Sequence, residues 1–146
     1  MRPEHSDGRD VARPPAAFAS APLDLTGAQA RALVRRAILS CLDTDSGETP
    51  RARTVTAEAQ LICSELVSNA RRHGGGLYWF EAYADDGTVV IEVGDRSTRR
   101  PRSPRRDATE PGGFGWDLVQ RLAERAEVVI RPDGTGKIIR AAVRVA

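Results

Sequence analysis

Glu65, Asn69 and His73 fall at i, i+4 and i+8 of a helical pattern. A carboxylate, an amide and an imidazole therefore stack along one helix face, one turn apart. At roughly 100° per residue, with Glu65 at zero, Asn69 lies about 40° round and His73 about 80°. The apolar stripe of Val55, Ala59, Ile62, Leu66 and Ala70 centres near about 100°. The wheel predicts Glu65 at the rim of the buried face, with Asn69 and His73 progressively closer to it. An Asn near a Glu can complete the oxygen shell of Mg²⁺, which keeps several waters and bridges substrate phosphates. Two further pieces have matching chemistry. Asp95 follows the strand pattern Val89-Val-Ile-Glu-Val93-Gly94 and can accept a hydrogen bond from an exocyclic amine. Gly112-Gly113-Phe114-Gly115 opens a helical pattern, where free backbone N–H groups and the helix dipole suit a phosphate. Each piece alone is weak, and His73 in a last turn can equally interact with helix-end carbonyls.

The elements that must position these groups are readable from periodicity and punctuation. Thr26-Gly-Ala-Gln29 fits a capping box, and the apolar residues from Ala30 to Leu42 keep helical period. Residues 43–53, rich in Asp, Ser, Gly and Pro, read as a loop. A second helix begins near Thr54 and stops at Gly74-Gly75-Gly76. Leu77–Ala84 and Thr88–Val93 read as strands joined by a hairpin turn at Asp85-Asp86-Gly87. Arg96 to Pro111 carries no periodicity and has the composition of a binding loop or lid. Phe114–Arg125 is a third helix, and Glu127–Arg131 and Lys137–Val145 form a last hairpin. Phe18–Leu25 has the pattern of an additional edge strand. This order implies an α+β two-layer sandwich, with a mainly antiparallel mixed sheet and helices on one face.

The chain has 146 residues, 40% hydrophobic and 29% charged, which suits one soluble domain with a sizeable core. Residues 1–16 read as a flexible arm and 17–146 as the domain. No apolar run reaches membrane-spanning length and the start lacks an apolar signal segment, so the expectation is a cytoplasmic protein without membrane contact. Cys41 and Cys63 lie in helical patterns and read as reduced thiols. A net charge of +2 does not imply a polyanion partner. Six arginines crowd residues 96–106, which reads as a solvated lid, a contact with a ligand phosphate or an acidic partner, or, last, a nucleic-acid contact. No aromatic residue interrupts that run, which argues against single-strand binding.

Taken in order, the three pieces resemble the boxes of the GHKL (Bergerat-fold) ATPases. Glu65-x-x-x-Asn69-Ala-x-x-His73-Gly74 looks like the N box in its anti-sigma-kinase form. Val93-Gly-Asp95-Arg-Ser97 looks like the first glycine box, and Gly113-Phe-Gly115-Trp-Asp-Leu118 like the second. The resemblance spans residues 18–146 and implies the Bergerat ATP-binding fold. It implies that Asn69 coordinates Mg²⁺ bound to the ATP phosphates, that Glu65 is the general base or orients the attacking hydroxyl, and that Asp95 binds the adenine amine. Gly113 and Gly115 would let a lid close on the phosphates, with Ser97 and His73 among the nucleotide-binding positions. The implied protein is an anti-sigma factor with serine/threonine kinase activity, of the small actinobacterial kind, partnered by a sigma factor and a STAS-type anti-anti-sigma protein. A homodimer is a further implication. The first box departs from Asp-x-Gly-x-Gly by lacking both glycines, and Trp116 replaces an aliphatic residue after the second. Those departures keep open a non-catalytic protein-binding regulator of the same fold. A nucleic-acid-binding protein using the arginine loop is the least favoured reading.

Overall fold

A computed structural model describes residues 18, 20–42, 48–102 and 115–146. Three helices and four strands follow in the order α1 (Gly27–Cys41), α2 (Pro50–His73), β1 (Trp79–Asp85), β2 (Thr88–Asp95), α3 (Gly115–Leu122), β3 (Arg125–Ile130) and β4 (Lys137–Arg144). The strands form one sheet in the order β1-β2-β4-β3. All its pairings are antiparallel, so among the described residues the sheet is not mixed. It is the α+β architecture that the order of elements implied.

α1 starts where its capping box predicts. The Thr26 hydroxyl accepts from Gln29 N–H at 3.1 Å, and the Gln29 side chain accepts from Thr26 N–H at 2.9 Å. α2 starts four residues before the expected position. Thr49 caps it by accepting from Ala52 N–H, and Pro50 occupies the first turn, where its missing N–H costs nothing. Among the described residues of 18–25, the expected edge strand does not form. Leu23 N–H bonds the Leu77 carbonyl at 2.7 Å, a single backbone bond from which no ladder extends. β1 and β2 meet in a tight turn in which Asp86 (φ 48°) and Gly87 (φ 77°) both take left-handed backbone, the signature of an Asp-Gly hairpin.

The core lies between the helices and one sheet face. Ile62, Leu66 and Ala70 of α2 and Val34 and Ile38 of α1 pack with Val89, Ile91 and Val93 of β2 and Ile139, Ala141 and Val143 of β4. Fully burying a Leu or Ile side chain contributes roughly 1.5–3 kcal/mol, so this cluster fixes how α2 lies on the sheet. Both cysteines are free thiols. Cys63 is fully buried, and burial pushes its thiol up to about 11, while Cys41 is half-buried.

Candidate nucleotide-binding site

The site forms where the C-terminal end of α2 meets the end of β2. Gly75 (φ 76°) turns the chain out of the helix, and Gly76 N–H folds back on the Ala70 carbonyl. The Gly74 carbonyl accepts from Arg96 N–H at 3.0 Å, so the helix stop is bonded to the residue after Asp95. Gly74 also makes room. A Cβ there would stand 2.4 Å from Asp95 Oδ2, inside any tolerable contact. Gly136, at φ 152°, is equally constrained, because a Cβ there would stand 1.9 Å from the Asp95 carbonyl oxygen. Two glycines from distant parts of the chain thus allow the backbone and side chain of Asp95 to approach closely.

Asp95 ends β2 and lies opposite Lys137, the first residue of β4. Both are buried, at 4% and 5% exposure. Lys137 Nζ donates to Asp95 Oδ1 at 3.0 Å and to the Ser97 carbonyl at 3.3 Å, and Ser97 N–H donates to the same Oδ1 at 2.8 Å. Burial pushes the Asp95 carboxyl above its ordinary value, against the lowering effects of Lys137 and of Ser97 N–H. Ser97 acts through its main chain here, while its hydroxyl accepts from Arg99 N–H.

These groups open on a cleft of about 500 Å³. α2 contributes Asn69, Arg72 and His73, and β2 with the following loop contributes Asp95, Ser97, Arg99, Arg100 and Arg102. Gly115 and Trp116 of α3 and Lys137 and Ile139 of β4 complete the wall. Five cationic side chains, Arg72, Arg99, Arg100, Arg102 and Lys137, face one carboxylate, so the cleft suits a polyanion with a polar base.

Most of the predicted residues meet there, with two differences. His73 is exposed, although the wheel places it nearest the buried stripe. It is the last residue of α2, and the helix ends before anything covers that face. It still lines the cleft. Glu65 borders the cleft without lining it, and a Cβ on Gly115 would stand 2.3 Å from Glu65 Oε2, so α3 begins against this carboxylate. Gly113, Arg105 and Arg106 lie outside the described residues. Asn69 is half-buried and lines the cleft. Among the described residues no three His, Cys, Asp or Glu side chains group as a metal site. Mg²⁺ bound through phosphate oxygens needs only one or two protein oxygens, so Asn69 fits it.

Periodicity and spacing do not mark Lys137 or Arg72 as site residues, nor the role of Gly74 and Gly136 beside Asp95. The signal was the pairing of β2 with β4, strands that are not consecutive.

A two-layer α+β fold with a basic cleft at the C-terminal end of α2 fits a GHKL-type ATPase domain. The chain matches the histidine kinase-like ATPase domain over residues 23–143, and it belongs to that family. ATP binding comes with this membership. No curated protein matches the chain significantly. Among the described residues no helix is long and apolar enough to cross a membrane.

Proposed function

We propose that the chain is an ATP-dependent anti-sigma factor that phosphorylates a STAS-type anti-anti-sigma protein on serine or threonine and otherwise holds a sigma factor. The observation that carries this reading is the cleft itself, where buried Asp95 suits a base amine, Asn69 suits Mg²⁺ on the phosphates, and the arginines suit the phosphates' charge. In the transfer, the substrate hydroxyl oxygen forms a bond to the γ-phosphorus as the bond to the β-bridging oxygen breaks. ADP leaves, and the hydroxyl proton passes to Glu65. Bound Mg²⁺ would supply charge neutralisation at the phosphates. The protein's own part is positioning and electrostatic stabilisation, as is usual for phosphoryl transfer. Arg99, Arg100 and Arg102 stand at the cleft as the cationic side chains for this.

Calorimetry of Mg–ATP binding to wild type and Asn69→Ala tests the first step. The expected result is binding by wild type, weakened at least tenfold in the variant; no binding by wild type ends the nucleotide reading. Incubation with labelled ATP and a STAS-type protein tests the second, with label on that protein expected, and lost in Glu65→Ala.

The position of Glu65 favours one alternative. Its carboxylate packs against Gly115 rather than lining the cleft, and the first box lacks its glycines. Nucleotide binding and sigma-factor retention without label transfer would identify a non-catalytic regulator. Arg99, Arg100 and Arg102 line the cleft, which is the use the nucleotide reading requires of them.

A further inference from the structure

Lys137 is the only lysine in a chain that otherwise uses arginine for its side-chain cations. It is almost fully buried and lines the cleft. An ammonium group has three N–H donors. Asp95 Oδ1 and the Ser97 carbonyl take two of them. Both hydrogen bonds received by Asp95, from Lys137 and from Ser97, fall on Oδ1, and neither uses Oδ2. The base end of the cleft therefore holds a carboxylate oxygen and an ammonium donor side by side, on adjacent strands.

We propose that Lys137 is a base-reading residue, whose third N–H donates to the ring nitrogen beside the exocyclic amine of adenine while Asp95 Oδ2 accepts from that amine. The inference rests on the nucleotide reading above. An acceptor next to a donor on the protein matches a base edge with a donor next to an acceptor. Adenine presents that order on both edges, the amine beside N1 or beside N7. Guanine carries a carbonyl where adenine has the amine, and its oxygen would face the Asp95 carboxylate. Arginine, with its planar fork of donors, would not serve as a compact point donor in this space.

The experiment is calorimetry with Mg²⁺ on the full chain, using ATP, 1-deaza-ATP, 7-deaza-ATP and GTP, for wild type, Lys137→Met and Lys137→Gln. In wild type, one of the two deaza analogues is expected to bind about 10- to 100-fold more weakly than ATP, the effect of losing a hydrogen bond from a charged donor. GTP is expected to bind more weakly still. In Lys137→Met, which has no N–H to offer, the penalty for that deaza analogue is expected to disappear, although ATP itself binds less well, while Lys137→Gln, which keeps an amide donor, is expected to retain part of it. If Lys137 only holds Asp95 in place, the variants lose affinity for ATP and both analogues by one common factor, and that result overturns the proposal. Equal binding of ATP and both deaza analogues by wild type also overturns it, and this arm requires no variant to fold. Failure of wild type to bind ATP at all is a different outcome, which removes the nucleotide reading and this inference together.

Discussion

Asp95 is a carboxylate taken almost out of water, and each of its neighbours is explained by that. Lys137 and Ser97 N–H satisfy Oδ1, as burial of a charge requires. Gly74 and Gly136 leave the space in which the residue sits. The sequence marks Asp95 by its place at the end of an apolar strand, and Asn69 by its spacing from Glu65. It does not mark Lys137 or Gly136, because residues 95 and 137 become neighbours only through the register of β2 on β4. Gly74 is visible only as a helix stop. A direct consequence concerns Gly74→Ala. The new methyl would stand against the Asp95 carboxylate rather than the end of a long flexible chain, so Asp95 must move. The expected outcome is a loss of about 1–3 kcal/mol in urea unfolding, the usual cost of overpacking, together with at least tenfold weaker ATP binding. Gly75→Ala, which meets nothing within 4 Å, is the control. It carries only the left-handed backbone penalty and should leave ATP affinity near wild type. Equal loss of ATP affinity in both variants would mean that Gly74 acts through the helix end alone.

α2 sets the geometry of the site, since it carries Glu65, Asn69 and His73 and ends at Gly74. Its apolar stripe is legible because Val55, Ala59, Ile62, Leu66 and Ala70 recur at helical spacing, and all five are buried. Its start is less legible. Thr26 declares itself through Gln29 three residues later, whereas Thr49 has Ala52 in that place and no reciprocal bond. The Asp-, Ser- and Gly-rich residues before it then dominate the reading. The Thr49-Pro50 pair is nevertheless a start signal, an N-cap hydroxyl followed by proline in the first turn. Thr49→Ala should lower stability by about 1 kcal/mol, as typical for a lost N-cap, measured by urea unfolding. Thr49→Asp should retain most of it, because a carboxylate can also accept from Ala52 N–H. ATP affinity should be unchanged in both, since Thr49 lies at the far end of the helix from the cleft. A Thr49→Ala variant as stable as wild type would show that the first turn contributes nothing to the fold.

At the scale of the molecule, the sheet is two-sided, and the order of elements implies only the helix-covered side. Helices cover the face of Val89, Ile91 and Val93, yet all of β2 is buried because it lies inside the sheet between β1 and β4. On the other face, Glu81, Glu92, Arg140 and Glu127 form one row across the four strands, each opposite the next. Glu92 is fully buried and bonds Arg140 at 2.8 and 2.9 Å, both through Oε2, while Oε1 has no hydrogen-bond partner. Arg140 also bonds Glu127 at 2.8 Å. Glu81, opposite Glu92, has its carboxyl pushed up by burial and then by the Glu92 charge. A buried carboxylate with one cationic partner is a position where removing the partner costs more than removing the pair. Arg140→Met should therefore destabilise by about 2–3 kcal/mol, at or below the range for fully buried pairs because Arg140 is partly exposed. Adding Glu92→Leu to it should recover most of the loss, since an apolar pair leaves neither a buried charge nor an orphaned oxygen. Urea unfolding of the wild type, the two single variants and the double variant measures the coupling directly. A double variant no more stable than Arg140→Met would show that this face depends on the carboxylate itself rather than on its neutralisation.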